Sequence, residues 1–478
     1  MLPGALVQLV RKIQKIKCET QTIELKAASK GCPTRLYDTL SGFSNQDEGG
    51  VILFGIDEKA DYSIVGVYDA QDLQHKVNEQ CKQMEPIVRP LFTVCEIEEK
   101  LVVSVEIPSV DISERPVYYK GVGRVKGSYI RVGEADEPMS EYEIYSYDAY
   151  RRRTQDDLRV VERAKREFFD AERMDEYLRA VKKERKNLAE KVSDDQILEL
   201  MGITLDGVPT LAGILIFAIY PQGFFPQLCI TAVNIPGTQM GEIGDDVERF
   251  IDNQRITGSI PEMLEAAVDF VRRNSRTKTI IDESGKRRDK TEYPFRAVRE
   301  VVLNALLHRD YSLHTQNTPI RIEMYRDRME VKNSGGLYGK IAISSLGKVH
   351  PDTRNVALAN ALELLGIAEN RYSGIPTIRH ECEIAGLPEP TFEAIRGEFK
   401  VTLRNNIFTP DNANVPNIHK HILDYCETPR SRAELTALTG YSRNHTLSVL
   451  VKELLDLGLL KLTLPEKPKS SKQRYVRA

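Results

Sequence analysis

"YPFRAVREVVLNALLHRDYS", residues 293–312, combines a run of apolar residues with three polar ones spaced four apart. Side chains four residues apart lie over one another on a helix, so Glu300, Asn304 and His308 would form one stripe. The residues around them are mostly apolar and predict a largely buried helix. Buried polar groups need partners, so the stripe either joins a network within the protein or faces a ligand.

Two later segments favour a ligand. A strand after the helix leads to "KNSGGLYG", where Asn333, Gly335 and Gly336 would let a ligand approach the backbone closely. "NRYSGIPTI" then puts Ser373 and Gly374 at the expected start of another helix, where free N–H groups attract anions. A carboxylate that orients water, an amide oxygen for Mg²⁺ and glycine turns for base and phosphates are what nucleotide hydrolysis requires.

The segments "VREVVLNALLHRDYS", "IRIEMYRDRMEVKNSGGL" and "SGIPTIRHECEIAGLPEPTFE" follow one another in this order. Together they resemble the divergent GHKL-type ATP-binding domain, the Bergerat fold of gyrase, heat-shock chaperones and histidine kinases. More specifically, they resemble the prokaryotic branch labelled RecG-related helicase or transcriptional regulator. The resemblance implies that ATP binds with Mg²⁺, that Glu300 is the water-activating base and that Asn304 holds the metal. His308 would lie near the phosphates.

On the base side, the resemblance implies that Asn333, Gly335 and Gly336 line the adenine. It also implies that Ser373 and Gly374 form the second glycine box. The family normally has an aspartate where Asn333 stands, and this departure bears on adenine selectivity and on tight binding. The residues are compatible with binding alone and with weak hydrolysis of ATP. No G-x-x-x-x-G-K-[ST] motif occurs, so a P-loop motor is excluded.

The first part of the chain carries a second set of motifs. "CETQTIELKAASKG", "LSGFSNQDEGGVILFGIDEKADYSIVGV" and "RPVYYKGVGRVKGSYIRVGEADEPMS" resemble, in this order, the AlbA-like domain of the Schlafen family. The resemblance implies nucleic-acid binding in which basic side chains contact phosphates while strands supply a surface. The candidate phosphate contacts are Lys26, Lys120, Arg124, Lys126 and Arg131.

The same resemblance implies an alternative, a metal-dependent ribonuclease. Glu19 and Glu24, with Asp57 or Glu58, match acidic positions that form a nuclease centre in some Schlafen proteins. Such carboxylates would bind Mg²⁺ or Mn²⁺ and activate a water molecule. Against this, Glu24 alternates with apolar neighbours as in any strand that has one exposed face.

Residues 418–478 resemble a winged helix. "SRAELTALTGYSRNHTLSVLVKELLDLGLL" has the spacing of a helix–turn–helix, and a basic tail follows it. On the second helix, Arg443, Asn444 and Lys452 are residue types that reach bases and phosphates. Winged helices also mediate protein contacts, so the motif alone does not require DNA.

Length and composition set the organisation. A chain of 478 residues with a net charge of -3 predicts several domains and places any nucleic-acid contact in a local patch. Seven cysteines without paired short spacings and the absence of a long apolar run predict a cytoplasmic protein with no membrane segment. The charge-rich stretch after the first domain predicts a solvated helical connector. We predict an α+β multidomain protein with a Schlafen AlbA-like domain (1–140), a helical connector (141–200), a Bergerat-type α/β sandwich with its N-terminal extension (201–408), a linker (409–417) and a winged helix (418–478).

These parts favour an ATP-responsive, nucleic-acid-binding transcriptional regulator, with DNA the preferred partner and RNA the alternative. An ATP-gated ribonuclease of Schlafen type, acting in phage defence, is the competing function. An interaction scaffold with a degenerate nucleotide pocket is the third. Homo-oligomers are expected because winged helices often bind DNA as dimers and GHKL domains often pair.

Overall fold

The chain folds as a mixed α+β protein, as predicted, in a computed structural model. The structure describes residues 1–242, 248–281, 287–350, 352–368, 373–405, 422–439, 450–456, 459–463 and 473–477. Separate hydrophobic cores lie in the N-terminal, central and C-terminal parts of this described chain. The domain boundaries given above stay predictions.

The N-terminal part is built around one four-stranded sheet. Its elements are α1 (Pro3–Ile16), β1 (Ile23–Lys26), α2 (Tyr37–Asn45), β2 (Gly50–Phe54), β3 (Ile56–Asp57), β4 (Ser63–Ile64), α3 (Ala70–Lys82), β5 (Met84–Glu85), β6 (Leu91–Ile97), β7 (Lys100–Ile107), β8 (Tyr118–Tyr119), α4 (Gly123–Gly127), β9 (Tyr129–Val132) and β10 (Ala135–Pro138). The sheet order is β1, β2, β7, β6, with β1 parallel to β2 and the other neighbours antiparallel.

Alternation along β2 gives this sheet a core on each face. Ile52 and Phe54 pack with α2 and α3, whereas Leu53 packs with α1 on the opposite face. Successive side chains of a strand point to opposite faces, so a wholly apolar strand needs cover on both. Strands β1, β2 and β9 lie within the three segments that resemble the AlbA-like domain.

The charge-rich stretch 141–200 is not a solvated connector, which corrects the expectation from composition. Its longest helix, Ala171–Glu184, buries Met174, Tyr177, Leu178 and Val181 in the same core as the central sheet. Charged side chains occupy the opposite face of this helix. Composition reports the many exposed residues, whereas a few apolar positions at helical spacing decide where the helix packs.

The central part is a two-layer α/β sandwich. The helix α5 (Glu141–Arg152) comes first, and it packs against residues Ile112–Glu114 of the N-terminal part. The elements that follow are α6 (Ala171–Glu184), α7 (Lys186–Ala189), α8 (Asp194–Leu200), β11 (Thr204–Leu205), β12 (Val208–Pro209), α9 (Leu211–Phe217), β13 (Ile230–Asn234), β14 (Asp252–Ile256), α10 (Ile260–Asn274), β15 (Thr277–Ile281), β16 (Arg287–Thr291), α11 (Phe295–His308), β17 (Ile320–Met324), β18 (Arg328–Ser334), α12 (Val356–Leu364), α13 (Gly374–Ile384), β19 (Thr391–Ile395) and β20 (Glu398–Arg404).

The central sheet has the order β14, β13, β17, β18, β20, β19. Only β13 and β17 are parallel among these neighbours, and the rest are antiparallel. Helix α10 packs against β13 and β14, α11 packs against β18, and α13 lies beside α11. This layer of helices over a mixed sheet places the polar stripe of α11 next to the end of β18.

The C-terminal part is described only in pieces. These are β21 (Arg430–Ser431), α14 (Arg432–Thr439), α15 (Val451–Asp456), β22 (Leu460–Leu462) and β23 (Arg474–Arg477), and the strands form an antiparallel sheet in the order β21, β23, β22. Leu435, Leu454, Leu460 and Tyr475 share a small core. The predicted linker lies outside the described residues, and the winged helix stays a prediction.

Candidate nucleotide site

Helix α11 buries its apolar residues and leaves its polar stripe beside a cavity. The buried residues are Ala297, Val298, Val301, Val302, Leu303, Ala305 and Leu306. Glu300, Asn304 and His308 are each partly exposed, and all three line the cavity. The stripe is therefore not a closed network within a buried helix but one wall of an open site.

The cavity is lined by residues from all three sequence segments that were predicted to meet. The volume open to the centres of water molecules is about 180 Å³. Its polar or glycine lining includes Glu300, Asn304, His308, Asn333, Gly335, Gly336, Asp352, Thr353, Arg354 and Gly374, and its apolar lining includes Leu303, Leu307, Leu337, Ile341, Leu346, Val349, Phe399 and Val401. Ser373 precedes Gly374 at the N-cap of α13, as predicted, but it is not among the described lining residues.

Asn304 leaves part of its amide without a partner. Its Nδ2 atom is buried and makes no hydrogen bond to any residue in the described ranges. A Cβ atom at Gly374 would lie 3.0 Å from this Nδ2 and 3.3 Å from the Glu300 Oε2 atom. The first turn of α13 thus approaches the stripe so closely that only glycine leaves the surrounding atoms in place. A buried unpaired amide beside an open cavity fits a site for a polar ligand.

The turn after β18 shapes the other wall. Asn333 is buried, and its Nδ2 atom donates to the Ser334 carbonyl at 3.2 Å, so its Oδ1 atom is the end turned away from that bond. Gly335 has a φ of +102°, and a Cβ there would lie 2.8 Å from the backbone nitrogen of Asp310. Positive φ and close contact both require glycine at this position.

His308 is uncharged in this setting. Burial lowers the pKa of its imidazole from 6.5 to about 4, and the positive charge of Arg354 lowers it further. Desolvation disfavours the imidazolium form, because a buried charge loses its hydration. A neutral ring beside a phosphate would donate one N–H hydrogen bond to a phosphate oxygen without adding charge.

Arg354 is a lining residue that the sequence analysis missed. Its guanidinium pairs with Asp310 at 2.8 Å and lies over the Tyr338 ring, 4.9 Å from the ring centroid. Asp310 also accepts a hydrogen bond from the Tyr142 hydroxyl at 2.5 Å. Burial raises the pKa of the Asp310 carboxyl, but the charge of Arg354 and the hydrogen bonds from Tyr142 and Ser312 lower it below its ordinary value. An arginine in an irregular loop carries no periodic signal in the sequence.

Two of the predicted residues in the N-terminal part, Glu24 and Arg131, belong to a largely buried ion-pair network. Glu24 pairs with Lys26 at 2.5 Å and with Arg131 at 2.8 Å, and Arg131 also reaches Asp136 at 3.2 Å. Thr39 donates to Asp136 at 2.7 Å. Arg131 is only 3% exposed and lines neither cavity nor cleft, so the surface of this arrangement does not offer it to phosphates, and its role as a phosphate contact stays a prediction. Its charge is neutralised by the two carboxylates.

The acidic residues proposed for a nuclease centre are held in local contacts, although Glu19 and Glu24 lie close enough for Glu24, in addition to burial, to raise the pKa of Glu19. Glu19 accepts the backbone N–H of Leu25 at 2.7 Å, and burial raises the pKa of its carboxyl. Asp57 caps a short turn by accepting the N–H of Lys59 at 3.0 Å, with Glu58 next to it. Within the described ranges, no group of three or more histidine, cysteine, aspartate or glutamate residues could hold a metal ion. The carboxylates are engaged in local structure.

The remaining basic candidates differ in their availability. Lys126 is exposed on α4, and Lys120 is exposed near Glu85, 3.8 Å from its carboxylate. Arg124 forms two hydrogen bonds of 2.8 Å with Asp148. An exposed lysine can exchange its partner for a phosphate easily. An arginine that makes two hydrogen bonds to one carboxylate does so less readily.

In the C-terminal part, Lys452 is exposed on α15. Arg443 and Asn444 lie outside the described residues. The predicted contacts of this part with DNA therefore remain predictions.

Comparison with protein-family models agrees with this geometry. Residues 19–140 match the model described as "Schlafen, AlbA_2". Residues 317–403 match the model described as "Putative ATP-dependent DNA helicase recG C-terminal", whose short label is HATPase_c_4. The second match begins after α11, so Glu300, Asn304 and His308 lie outside it. None of the curated proteins compared with this chain matches it.

Two solved structures are similar to the chain. One is the DIP2311 protein from Corynebacterium diphtheriae, with 16% identity, a TM-score of 0.41 and coverage of 94% of this chain and 92% of that chain. The other is the N-terminal domain of a RecG-related protein from Nitrosomonas europaea, with 27% identity, a TM-score of 0.23 and coverage of 27% of this chain and 90% of that one. Neither similarity is strong enough to assign a role to a residue.

The chain thus carries a Schlafen AlbA_2 domain followed by a HATPase-like domain of the RecG C-terminal type. This pairing indicates nucleotide binding and a function related to nucleic acids. Helices in the described part of the chain lack the combined length and apolar character that a membrane span requires.

Proposed function

We propose that this protein is an ATP-binding, nucleic-acid-binding regulator, in which nucleotide in the central cavity controls how the N-terminal domain binds nucleic acid. DNA is the preferred target and RNA the alternative. Ligands shift only equilibria between states that they bind unequally, so the control needs two arrangements of the N-terminal and central parts. Homo-oligomers remain part of the proposal.

The cavity supplies groups suited to each part of ATP. Asn333 would accept a hydrogen bond from the adenine amino group through Oδ1, because its Nδ2 is already committed to Ser334. The amide of Asn304, unpaired at Nδ2 within the described chain, would hold Mg²⁺ through its oxygen, and the ion would offset phosphate charge. Glu300 would orient water near the terminal phosphate. The amide oxygen of Asn333 would thus accept the hydrogen bond that an aspartate accepts from adenine in GHKL-type domains.

The main observation behind the proposal is a loop that lines both the nucleotide cavity and a second cleft. Gly336, Leu337, Tyr338 and Ile341 line the nucleotide cavity and also line a larger cleft whose other wall belongs to the N-terminal part. In the same loop, the ammonium of Lys340 pairs with Asp111 of that part at 2.6 Å. A ligand that moves this loop would therefore act directly on the N-terminal part.

Calorimetric titration of the full chain with ATP and Mg²⁺, followed by DNA and RNA binding with and without ATP, tests the proposal. We expect ATP to bind and to change nucleic-acid affinity at least about fivefold, which corresponds to a coupling free energy of about 1 kcal/mol. If neither ATP nor nucleic acid raises the thermal stability, the interaction scaffold is the better description.

A paired variant tests the surface that contacts phosphates. Lys120→Gln with Lys126→Gln should weaken nucleic-acid binding and reduce the slope of log affinity against log salt by roughly 1 to 2. Arg124→Gln is the control, since its guanidinium is already paired with Asp148. An unchanged salt slope in the lysine variant would remove these residues from the interface.

A further inference from the structure

Arg354 supplies a positive charge in the wall of the nucleotide cavity. Among the described residues that line this cavity it is the only arginine or lysine, whereas Glu300 and Asp352 are acidic. Its side chain is 5% exposed. The Nε atom is buried and has no hydrogen-bond partner among the described residues. A buried guanidinium with a spare donor is costly unless an acceptor arrives.

We propose that Arg354 binds the phosphate groups of the nucleotide, and that Asp310 and Tyr142 position it for this and link phosphate binding to the N-terminal part. The proposal rests on the proposed function, because it assumes that the cavity takes a nucleotide. A guanidinium has five donors in a planar fork, so Arg354 can keep its bond to Asp310 while other N–H groups bind phosphate oxygens.

Asp310 fixes the orientation of Arg354. One of its carboxylate oxygens, Oδ2, accepts from both Arg354 at 2.8 Å and Tyr142 at 2.5 Å. The other oxygen, Oδ1, accepts the backbone N–H of Ser312 at 2.7 Å. The close contact at Gly335 holds the cavity turn against the backbone of the same aspartate. Asp310 is therefore a positioning residue that does not itself face the phosphates.

Tyr142 brings the chain of contacts to the N-terminal part. It lies on α5, the first helix after β10, and its hydroxyl crosses to Asp310 of the central part. A Cβ atom at Gly397 would lie 2.3 Å from the Tyr142 ring, so the ring is seated closely in the central part. Moving α5 would withdraw a donor from Asp310 and change how Arg354 is held.

Coupling through this contact must act in both directions. If phosphate binding favours one position of α5, that position must favour phosphate binding by the same free energy. The chain Tyr142–Asp310–Arg354 is then a specific route by which triphosphate, rather than adenosine, is sensed. Arg354 also lines both the cavity and the cleft, as the shared loop does, so the Tyr142 contact is what distinguishes this route from the loop.

The first test compares ATP with adenosine as ligands of the full chain. Arg354→Lys keeps a positive charge for Asp310 but loses the planar fork, and it should weaken ATP at least about fivefold while leaving adenosine unchanged. Equal losses for ATP and adenosine would overturn the phosphate role and point to a misshapen cavity. If the wild type binds neither, the proposed function fails together with this inference.

The second test asks whether Tyr142 transmits the signal. Tyr142→Phe removes only the hydroxyl, and it should weaken ATP about threefold and reduce the effect of ATP on nucleic-acid affinity by a similar factor. Glu137→Gln is the control, because its ion pair with Arg396 also joins the two parts, at 2.5 Å, but lies at the surface. The inference is overturned if both variants keep full coupling, or if both lose it equally.

Discussion

Two clusters of polar residues, one in each of the first two parts of the chain, gave similar signals in the sequence and have opposite structures. In the N-terminal part, Glu24, Arg131 and Asp136 form a largely buried ion-pair network that lines neither the cavity nor the cleft, although the Arg131 Nε has no hydrogen-bond partner in the described chain. In the central part, Glu300 and Asn304 open onto a cavity, and the Asn304 Nδ2 has no partner in the described chain. Charged and polar side chains in the sequence therefore predict a polar cluster but not whether it faces a cavity.

An adjoining cavity, in which a ligand can supply the missing hydrogen-bond partners, is what separates a candidate site from a structural cluster. In a structural cluster, the ion pairs and hydrogen bonds between the members stabilise the fold, so removing a member destabilises it. In a cluster that lines a cavity, some donors or acceptors are satisfied only by a ligand. Removing a member should therefore reduce ligand affinity more than it reduces the free energy of unfolding. Each of the following experiments measures on which side of this division a residue falls.

Arg131→Met should have the largest effect on stability. The variant leaves the Glu24 and Asp136 carboxylates buried without their shared cation, which costs about 3 kcal/mol. Hydrogen exchange of the amides of β2 and β7 in the full chain measures this loss locally. The matched change is Arg124→Met, whose pair with Asp148 has a 30% exposed guanidinium side chain and should cost less than about 1 kcal/mol.

Similar losses in the two arginine variants would contradict the distinction drawn here. They would mean that the Arg131 network is as well solvated as the Arg124 pair. A loss confined to Arg131→Met would instead establish that this arginine holds the domain together and is not available to phosphates.

His308→Gln tests the open cluster through pH. The folded pKa of about 4 lies below the ordinary value of 6.5, so the unfolded chain takes up a proton between pH 7 and pH 5 that the folded chain does not. The free energy of unfolding contributed by this group is present above pH 6.5 and falls by about 2 kcal/mol on going from pH 7 to pH 5. Thermal or urea unfolding across this range should show a correspondingly smaller fall in the variant.

Matching pH profiles for wild type and His308→Gln would show that the ring is solvated or ion-paired in solution. A steeper fall in the variant would reverse the sign and place a stabilising acidic partner on His308. Either result would mean that the cavity wall does not keep the His308 ring uncharged.

Much of the fold was predictable because periodic signals carry it. The strand Gly50–Phe54, the helix Phe295–His308 and the start of the helix at Gly374 follow from apolar runs, four-residue spacing and a glycine near a helix start. The resemblance to known domains added the order of these elements. The convergence of Asn304 with Asn333 and Gly374 was expected on that ground.

The missing parts have no local signal. Arg354 lies in an irregular loop, and its value depends on Asp310 and Tyr142, which are distant in sequence. Arg131 was named as a phosphate contact because the resemblance to the AlbA-like domain implies nucleic-acid binding through basic side chains. Only the three-dimensional arrangement reveals that two carboxylates and the Phe43 ring surround it.

Asn304→Ala should have the smallest of these effects on free energy and the most selective one. Without a bond from Nδ2, the folded state should lose less than about 0.5 kcal/mol. ATP affinity in the presence of Mg²⁺ should fall about tenfold, which corresponds to about 1.4 kcal/mol. Calorimetry with and without Mg²⁺ measures both the loss and its dependence on the metal.

Asn45→Ala is the matched control, because both asparagines are on helices and both have a side-chain Nδ2 atom that is shielded from solvent. Asn45 donates to the carbonyls of Val117 and Tyr129 at 3.0 Å each and accepts the Val117 N–H at 2.7 Å. Its removal should cost about 2 kcal/mol of stability while ATP affinity stays unchanged. If instead Asn304→Ala destabilises the fold like Asn45→Ala and binds ATP normally, the central stripe is another structural cluster and the nucleotide site lies elsewhere.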